Sequence, residues 1–147
     1  IARGDIEDIS DLVVDDFDAL LVPGGFGAAK NLSDFAIKGS DSQINAAFQQ
    51  VARAFIAHNK PAGYMCIAPA MLPLIYPEGV RGTIGKDAAI AESITSMGLT
   101  HVNCTVDNVV VDEKYKVVST PAYMLATSIS EAATGINRLV KTVLSLS

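Results

Sequence analysis

Two short apolar runs stop abruptly, and helical spacing follows each of them. This alternation restricts the fold more than any other feature of the chain. Residues 19–22 end at Pro23-Gly24-Gly25, which cannot continue a strand, and Ala62–Met65 end at Cys66. After the first run comes a mostly irregular stretch over 26–40, with room for one short helical turn. Ile44, Ala47, Phe48, Val51 and Phe55 then recur on one helix face, with Asp41 or Ser42 as cap and Asn59-Lys60-Pro61 as stop. After the second run, 67–75 reads as helical: Pro69 is tolerated in the first turn, and Pro73 ends or kinks it. Asp87 caps a helix carrying Ile90, Ile94 and Met97, with Gly98 as its stop. Val102, Cys104 and Val106 alternate as in a strand, and 109–111 and 115–119 flank a polar turn, which predicts a hairpin. Pro121 precedes a long helix with the stripe Leu125, Ile129, Ala132, Ile136, Leu139 and Val143. Residues 1–17 are acidic and read as a loop or short helix. Strands alternating with helices predict a layered α/β fold with a mainly parallel sheet.

Composition supports that fold class and excludes others. With 147 residues, half of them hydrophobic and 18% charged, the chain has the makings of one globular domain. Mean hydropathy is high at +0.33. Yet no apolar run approaches the ~18 residues of a membrane span, so the hydrophobicity belongs to strands covered on both faces. The net charge of −5 argues against a binder of nucleic-acid backbones. Cys66 and Cys104 are the only cysteines. They make neither a disulfide scaffold nor a CxxC zinc pattern, so free thiols and no metal are expected.

The chemistry concentrates in two segments. In Gly63-Tyr64-Met65-Cys66-Ile67-Ala68-Pro69, Cys66 is caught between a strand end and a helix start. A sharp turn there lifts its side chain clear of the sheet, and a helix start favours thiolate over thiol. The Ile67 N–H stands where it can hold a developing oxyanion. The same position also suits a buried small hydrophobe. In Leu21-Val22-Pro23-Gly24-Gly25-Phe26-Gly27, glycines past a strand's C-terminal end let backbone amides face the crevice where open α/β sheets bind ligands. Gly25 is the donor best placed to meet a carbonyl oxygen over Cys66, although the segment also reads as a plain tight turn. It is neither GxGxxG nor a Walker loop, so nucleotide use finds no support. The candidates are Cys66 as nucleophile, with Gly24, Gly25, Phe26 and Ile67 around it. His58 reads as a surface or cap residue, His101 as a strand residue that serves as a base only if the fold carries it to Cys66, and Asp107 and Asp112 as turn or edge residues. Tyr123 is a candidate for the crevice wall.

Residues 23–33 (PGGFGAAKNLS), 65–73 (MCIAPAMLP), Thr83-Ile84-Gly85, Val109-Val110-Val111-Asp112 and Thr120-Pro121-Ala122-Tyr123-Met124 together resemble the ES1/ElbB family of the DJ-1/PfpI superfamily. The resemblance runs over essentially the whole chain. It implies a flavodoxin-like three-layer α/β sandwich of the class I glutamine amidotransferase type, with Cys66 on the elbow. It also implies a cofactor-free, glyoxalase-type conversion of glyoxal to glycolate. A small carbonyl is then the partner, a homodimer the assembly, and the cytoplasm of a bacterium or the mitochondrion of a eukaryote the location. The superfamily's catalytic acid comes from a helix that would precede residue 1, so the domain reads as lacking its opening strand and helix, and Asp5, Glu7 and Asp8 do not replace that acid. Gly85 stands where DJ-1-like enzymes carry a histidine. Ile67 stands where PfpI-like proteases carry one, which argues against peptidase activity. A glutaminase would need a late histidine followed by an acid, and none follows His101. A redox-responsive or metabolite-binding module of the same fold is the alternative to an enzyme.

Overall fold

The computed structural model describes residues 4–147. Its strands are β1 (Leu20–Val22), β2 (Ala62–Met65), β3 (Arg81–Gly82), β4 (Thr100–His101), β5 (Val110–Asp112) and β6 (Val117–Thr120). Its α-helices are α1 (Phe35–Lys38), α2 (Ala46–Ala57), α3 (Leu72–Ile75), α4 (Ala88–Ser96) and α5 (Ile129–Leu146). The main sheet has the order β1-β2-β6-β5. β2 lies parallel between β1 and β6, with Gly63 opposite Leu21 on one side and Val118 on the other. β5 closes the sheet antiparallel to β6, as the hairpin pattern predicts, and β3 and β4 form a separate parallel pair. This is the mixed α/β, mainly parallel architecture that the alternation of runs calls for.

Strand alternation sends side chains to two helical layers. Val22, Tyr64 and Val117 enter the larger core, where Phe48 and Ala52 of α2, Leu72 and Ile75 of α3 and Ile94 of α4 are buried. Val118 faces the other way, onto Leu139 and Val143 of α5. Gly63 points to that same side: a Cβ there would meet Leu139, Leu21 and Val143 within 3.0 Å. The α5 helix therefore lies close against β2. Burying each large side chain completely is worth ~1.5–3 kcal/mol. Asp112 ties the two sheets together. Its buried carboxylate accepts from the amides of Arg81 in β3 (2.9 Å) and Tyr115 in the hairpin turn (3.2 Å), so this residue at the end of the edge strand β5, as expected beside the turn, is also a bracket.

Several local expectations change in the structure. Asn45 caps α2 by accepting from the Phe48 amide (3.0 Å), while Asp41 belongs to a separate 3₁₀ turn over Gly39–Asp41. Residues 67–75 are not one helix. A 3₁₀ turn over Ala68–Met71 leads into the single turn of α3, and each piece carries a proline at its start, where no amide is needed. The 26–40 stretch holds more helix than expected: a wide turn over Ala28–Leu32, closed by the Ser33 amide on the Ala28 carbonyl (3.0 Å), and then α1. The 102–106 alternation is not a strand. The Val102 amide reaches the Gly82 carbonyl (2.9 Å), the Cys104 amide reaches the Gly85 carbonyl only at 3.4 Å, and Cys104 is buried outside any strand. At the C-terminal end, Pro121 leads into a 3₁₀ turn over Ala122–Met124, and α5 starts only at Ser128, which caps it by accepting from the Glu131 amide (3.2 Å). Leu125 thus lies outside the helix, and Ile129 is 79% exposed, so neither belongs to the stripe. Asp87 caps α4 as expected, accepting from the Ile90 amide at 2.9 Å.

Candidate active site

Cys66 follows the last residue of β2 with φ +62°, a left-handed backbone that side chains other than glycine rarely adopt. The conformation persists because its surroundings impose it. The Cys66 amide donates to the Thr120 carbonyl at the end of β6 (3.1 Å), so the elbow is fastened to the neighbouring strand. Just beyond, Ala122 is also left-handed at φ +44°, which makes the C-terminal ends of both central strands sharp turns.

The loop after β1 lies directly on the elbow. An ideal Cβ at Gly24 would sit 2.5 Å from Cys66 Cβ and 2.8 Å from the Met65 carbonyl oxygen, so only glycine lets the two segments approach this closely. Gly25, at φ +88°, then swings the chain toward the mouth of the crevice. Among the described residues, no backbone acceptor takes the N–H of Gly25 or of Ile67. Phe26 stands 76% exposed at the rim, with Lys30 Nζ 5.0 Å from its ring centroid.

Beneath that rim is a cavity of about 390 Å³. Gly25, Phe26, Cys66 and Ile67, four of the five residues singled out in the sequence, line it together, and Gly24 props the elbow from behind. The remaining wall comes from Ala29, Phe35, Ala36, Ile90 and Met124. Sequence reasoning did not find these, because they sit on four separate segments and carry apolar side chains with no chemical signature. Apart from the half-buried thiol, no lining side chain among the described residues is ionisable. The helix start behind Cys66 is a 3₁₀ turn and one α turn, so fewer aligned peptides face the thiol than an unbroken helix would supply.

The other candidates lie elsewhere. Tyr123 is 57% exposed and outside the cavity, where Met124 takes the expected place. His101 Nε2 accepts from the Ile84 amide (3.3 Å) and borders a different hollow with Glu92 and Asn103. Partial burial holds the His101 imidazole below its ordinary pKa. His58 is a surface residue whose ring contacts the Ala54 carbonyl (2.8 Å) and Asp15 (3.4 Å). Gly85 is left-handed at φ +107°, and a Cβ there would lie 2.9 Å from Leu125 Cγ, so Leu125 occupies the direction a side chain would take. Burial pushes the Cys104 thiol up, which makes it the less reactive kind of cysteine. Among the described residues, no group of three or more His, Cys, Asp or Glu gathers in a way that could hold a metal ion, and no helix is long and apolar enough to cross a membrane.

No family model matches the chain. It is 39% identical over 155 aligned residues to the mitochondrial ES1 protein homolog of Rattus norvegicus. It is 40% identical over 155 to the mitochondrial glutamine amidotransferase-like class 1 domain-containing protein 3 of Homo sapiens. Each alignment takes in 99% of this chain, but the chain spans only 58% of the relative's length. The crystal structure of an isoprenoid biosynthesis protein with an amidotransferase-like domain from Ehrlichia chaffeensis superposes with a TM-score of 0.85 at 32% identity, covering 95% of this chain and 64% of that one. Drosophila melanogaster DJ-1beta shares the fold, with a TM-score of 0.55 at 17% identity over 94% of this chain and 63% of that one.

Proposed function

From the premise that this chain is a homologue of the ES1 proteins built on the amidotransferase-like, DJ-1/PfpI-type fold, we propose that it is a cysteine-dependent glyoxalase-type enzyme converting small reactive carbonyls to hydroxy acids. The observation that carries the reading is the left-handed Cys66 at the cavity that Gly25 and Ile67 also line, their N–H groups taken by no backbone acceptor among the described residues. The Cys66 thiolate adds to one aldehyde carbon of glyoxal, and its new C–S bond leaves an alkoxide that the two amides stabilise. The hydrogen on that carbon leaves as a proton and returns to the neighbouring carbon, whose oxygen is protonated in turn. The first carbon is thereby oxidised to a thioester and the second reduced to an alcohol. Water then cleaves the thioester and frees the thiol. The sum is one glyoxal plus one water to one glycolic acid, which is redox-neutral and needs no external electron acceptor. The carrier of the migrating proton is not among the cavity-lining residues described. Cys66→Ser in the full-length protein is expected to lower glyoxal consumption at least about a hundredfold, measured by substrate loss and glycolate formation. An unchanged rate overturns the reading. A homodimer, and a mitochondrial location if the source is eukaryotic, go with the same reading.

The absence of an ionisable wall favours a second reading, a redox-responsive or metabolite-binding pocket in which Cys66 is the sensor. Peroxide treatment followed by peptide mass then adds oxygen at Cys66, and a protein that stays unmodified there while glyoxal is consumed rejects it.

A further inference from the structure

The elbow hangs on the end of a ladder, and ladders open first at their ends. The ladder between β2 and β6 runs from the Ala62 amide on the Lys116 carbonyl (3.0 Å) to the Cys66 amide on the Thr120 carbonyl (3.1 Å). The left-handed backbone of Cys66 is therefore imposed through a terminal rung. If that rung opened, the backbone would relax toward the ordinary regions and the thiol would turn with it.

The Thr120 side chain supplies the restraint that a terminal rung lacks. It is fully buried, on the α5 side of the sheet and away from the cavity. Its hydroxyl donates to the Asn108 carbonyl at 2.8 Å. Asn108 is itself held, because its side-chain oxygen accepts from the Val109 amide (2.9 Å) and from the Arg138 guanidinium of α5 (3.0 Å). Gly135 lets α5 lie directly on this junction: a Cβ there would stand 2.9 Å from Thr120 Oγ1 and collide with the Val106 carbonyl oxygen. Valine has nearly the shape of threonine, so packing alone does not call for the hydroxyl; the bond to Asn108 does.

We propose that Thr120 is the positioning residue of the elbow. Its hydroxyl, anchored on Asn108, keeps the last rung closed and so holds Cys66 at the cavity in its left-handed backbone. The inference takes Cys66 as the reacting group, as in the reading above, and adds the residue that aims it.

Thr120→Val and Thr120→Ser in the full-length protein test this, with two readouts. The first is hydrogen exchange of the Cys66 amide, measured against the Ala62 amide at the other end of the same ladder. Thr120→Val is expected to speed exchange at Cys66 at least about tenfold more than at Ala62, and Thr120→Ser, which keeps the hydroxyl, to stay within about threefold of the parent. The second is glyoxal turnover, where Thr120→Val is expected to lower kcat about tenfold or more with KM little changed, and Thr120→Ser to restore it. If Thr120→Val does not fold, Thr120→Ala against Thr120→Ser makes the same comparison, since those two differ by the hydroxyl alone. Equal acceleration at both amides, or none at Cys66, overturns the inference, and does so without touching the glyoxalase reading if the parent protein consumes glyoxal. Selective acceleration at Cys66 in a protein that turns over no glyoxal sustains the positioning role and overturns the glyoxalase reading instead.

Discussion

Gly24 and Cys66 form a matched pair, because one residue's missing side chain makes room for the other's strained backbone. Gly24→Ala puts a methyl 2.5 Å from Cys66 Cβ, with a backbone carbonyl at 2.8 Å, so the loop or the elbow has to move. The expected result is a loss of ~1–3 kcal/mol of stability, with carbonyl turnover falling further than the stability change explains. Thermal denaturation and kcat/KM on the same sample check both. His101 shows how burial at one residue becomes a pH effect. Its folded-state pKa lies below the ordinary 6.5, so the unfolded chain binds the proton more readily. The stability this supplies is complete above about pH 6.5 and is lost as the pH falls through the depressed value. Melting temperature is therefore expected to start falling just below pH 6.5, and to fall less in His101→Gln, whose side-chain carbonyl can still accept from the Ile84 amide. Asp34, whose carboxyl is held below the ordinary 3.8 by Lys38, loses its contribution only as the pH falls below that value.

The long C-terminal helix separates pattern from packing. Ala132, Gly135, Leu139 and Val143 of α5 are buried at helical intervals, while Ile129, one turn earlier on the same apolar pattern, is almost free in solvent. Leu139→Ala is expected to cost ~2–5 kcal/mol, and Ile129→Ala within about half a kcal/mol of nothing, in urea or thermal unfolding. The Ser128 cap explains the difference. Ser128 accepts from the Glu131 amide while the Glu131 carboxylate accepts from the Thr127 amide (2.8 Å) and hydroxyl (2.9 Å), which starts the helix where Ile129 still points outward. Ser128-Ile129-Ser130-Glu131 is a capping-box pattern in the sequence, and it gives the true helix start, which Pro121 does not.

For the whole molecule, the high apolar fraction is absorbed by a sheet packed between α5 on one face and α2, α3 and α4 on the other. Its surface carries the net −5. Because the sequence pI is about 4.8, acidification takes that charge through zero, and self-repulsion between molecules disappears there. A solubility minimum is expected near that pH, with turbidity read across a titration. A minimum at neutral pH would mean that exposed apolar groups such as Phe26 and Ile37, rather than charge, govern association.

The sequence by itself determined the strands, read at 19–22 (formed over 20–22) and 62–65, the hairpin, the apolar face of α2, the Asp87 cap and the elbow cysteine with its glycine loop. Each of these depends on neighbours a few residues away: a strand breaker, a cap, a periodic face. Only the tertiary structure decided the rest, because the outcome depended on contacts between distant segments. The 102–106 alternation looks like a strand, but beyond Val102 its contact with the neighbouring segment thins to one long hydrogen bond, Cys104 amide to Gly85 carbonyl at 3.4 Å. Asp112 reads as a turn or edge residue and is one, but only the fold brings the Arg81 amide of β3 to its carboxylate. Ala29, Phe35, Ile90 and Met124 are unremarkable apolar residues in sequence, and they become one cavity wall only because the sheet order brings their four segments over Cys66. The elbow cysteine is written locally, but the shape of the space in front of it depends on the whole fold.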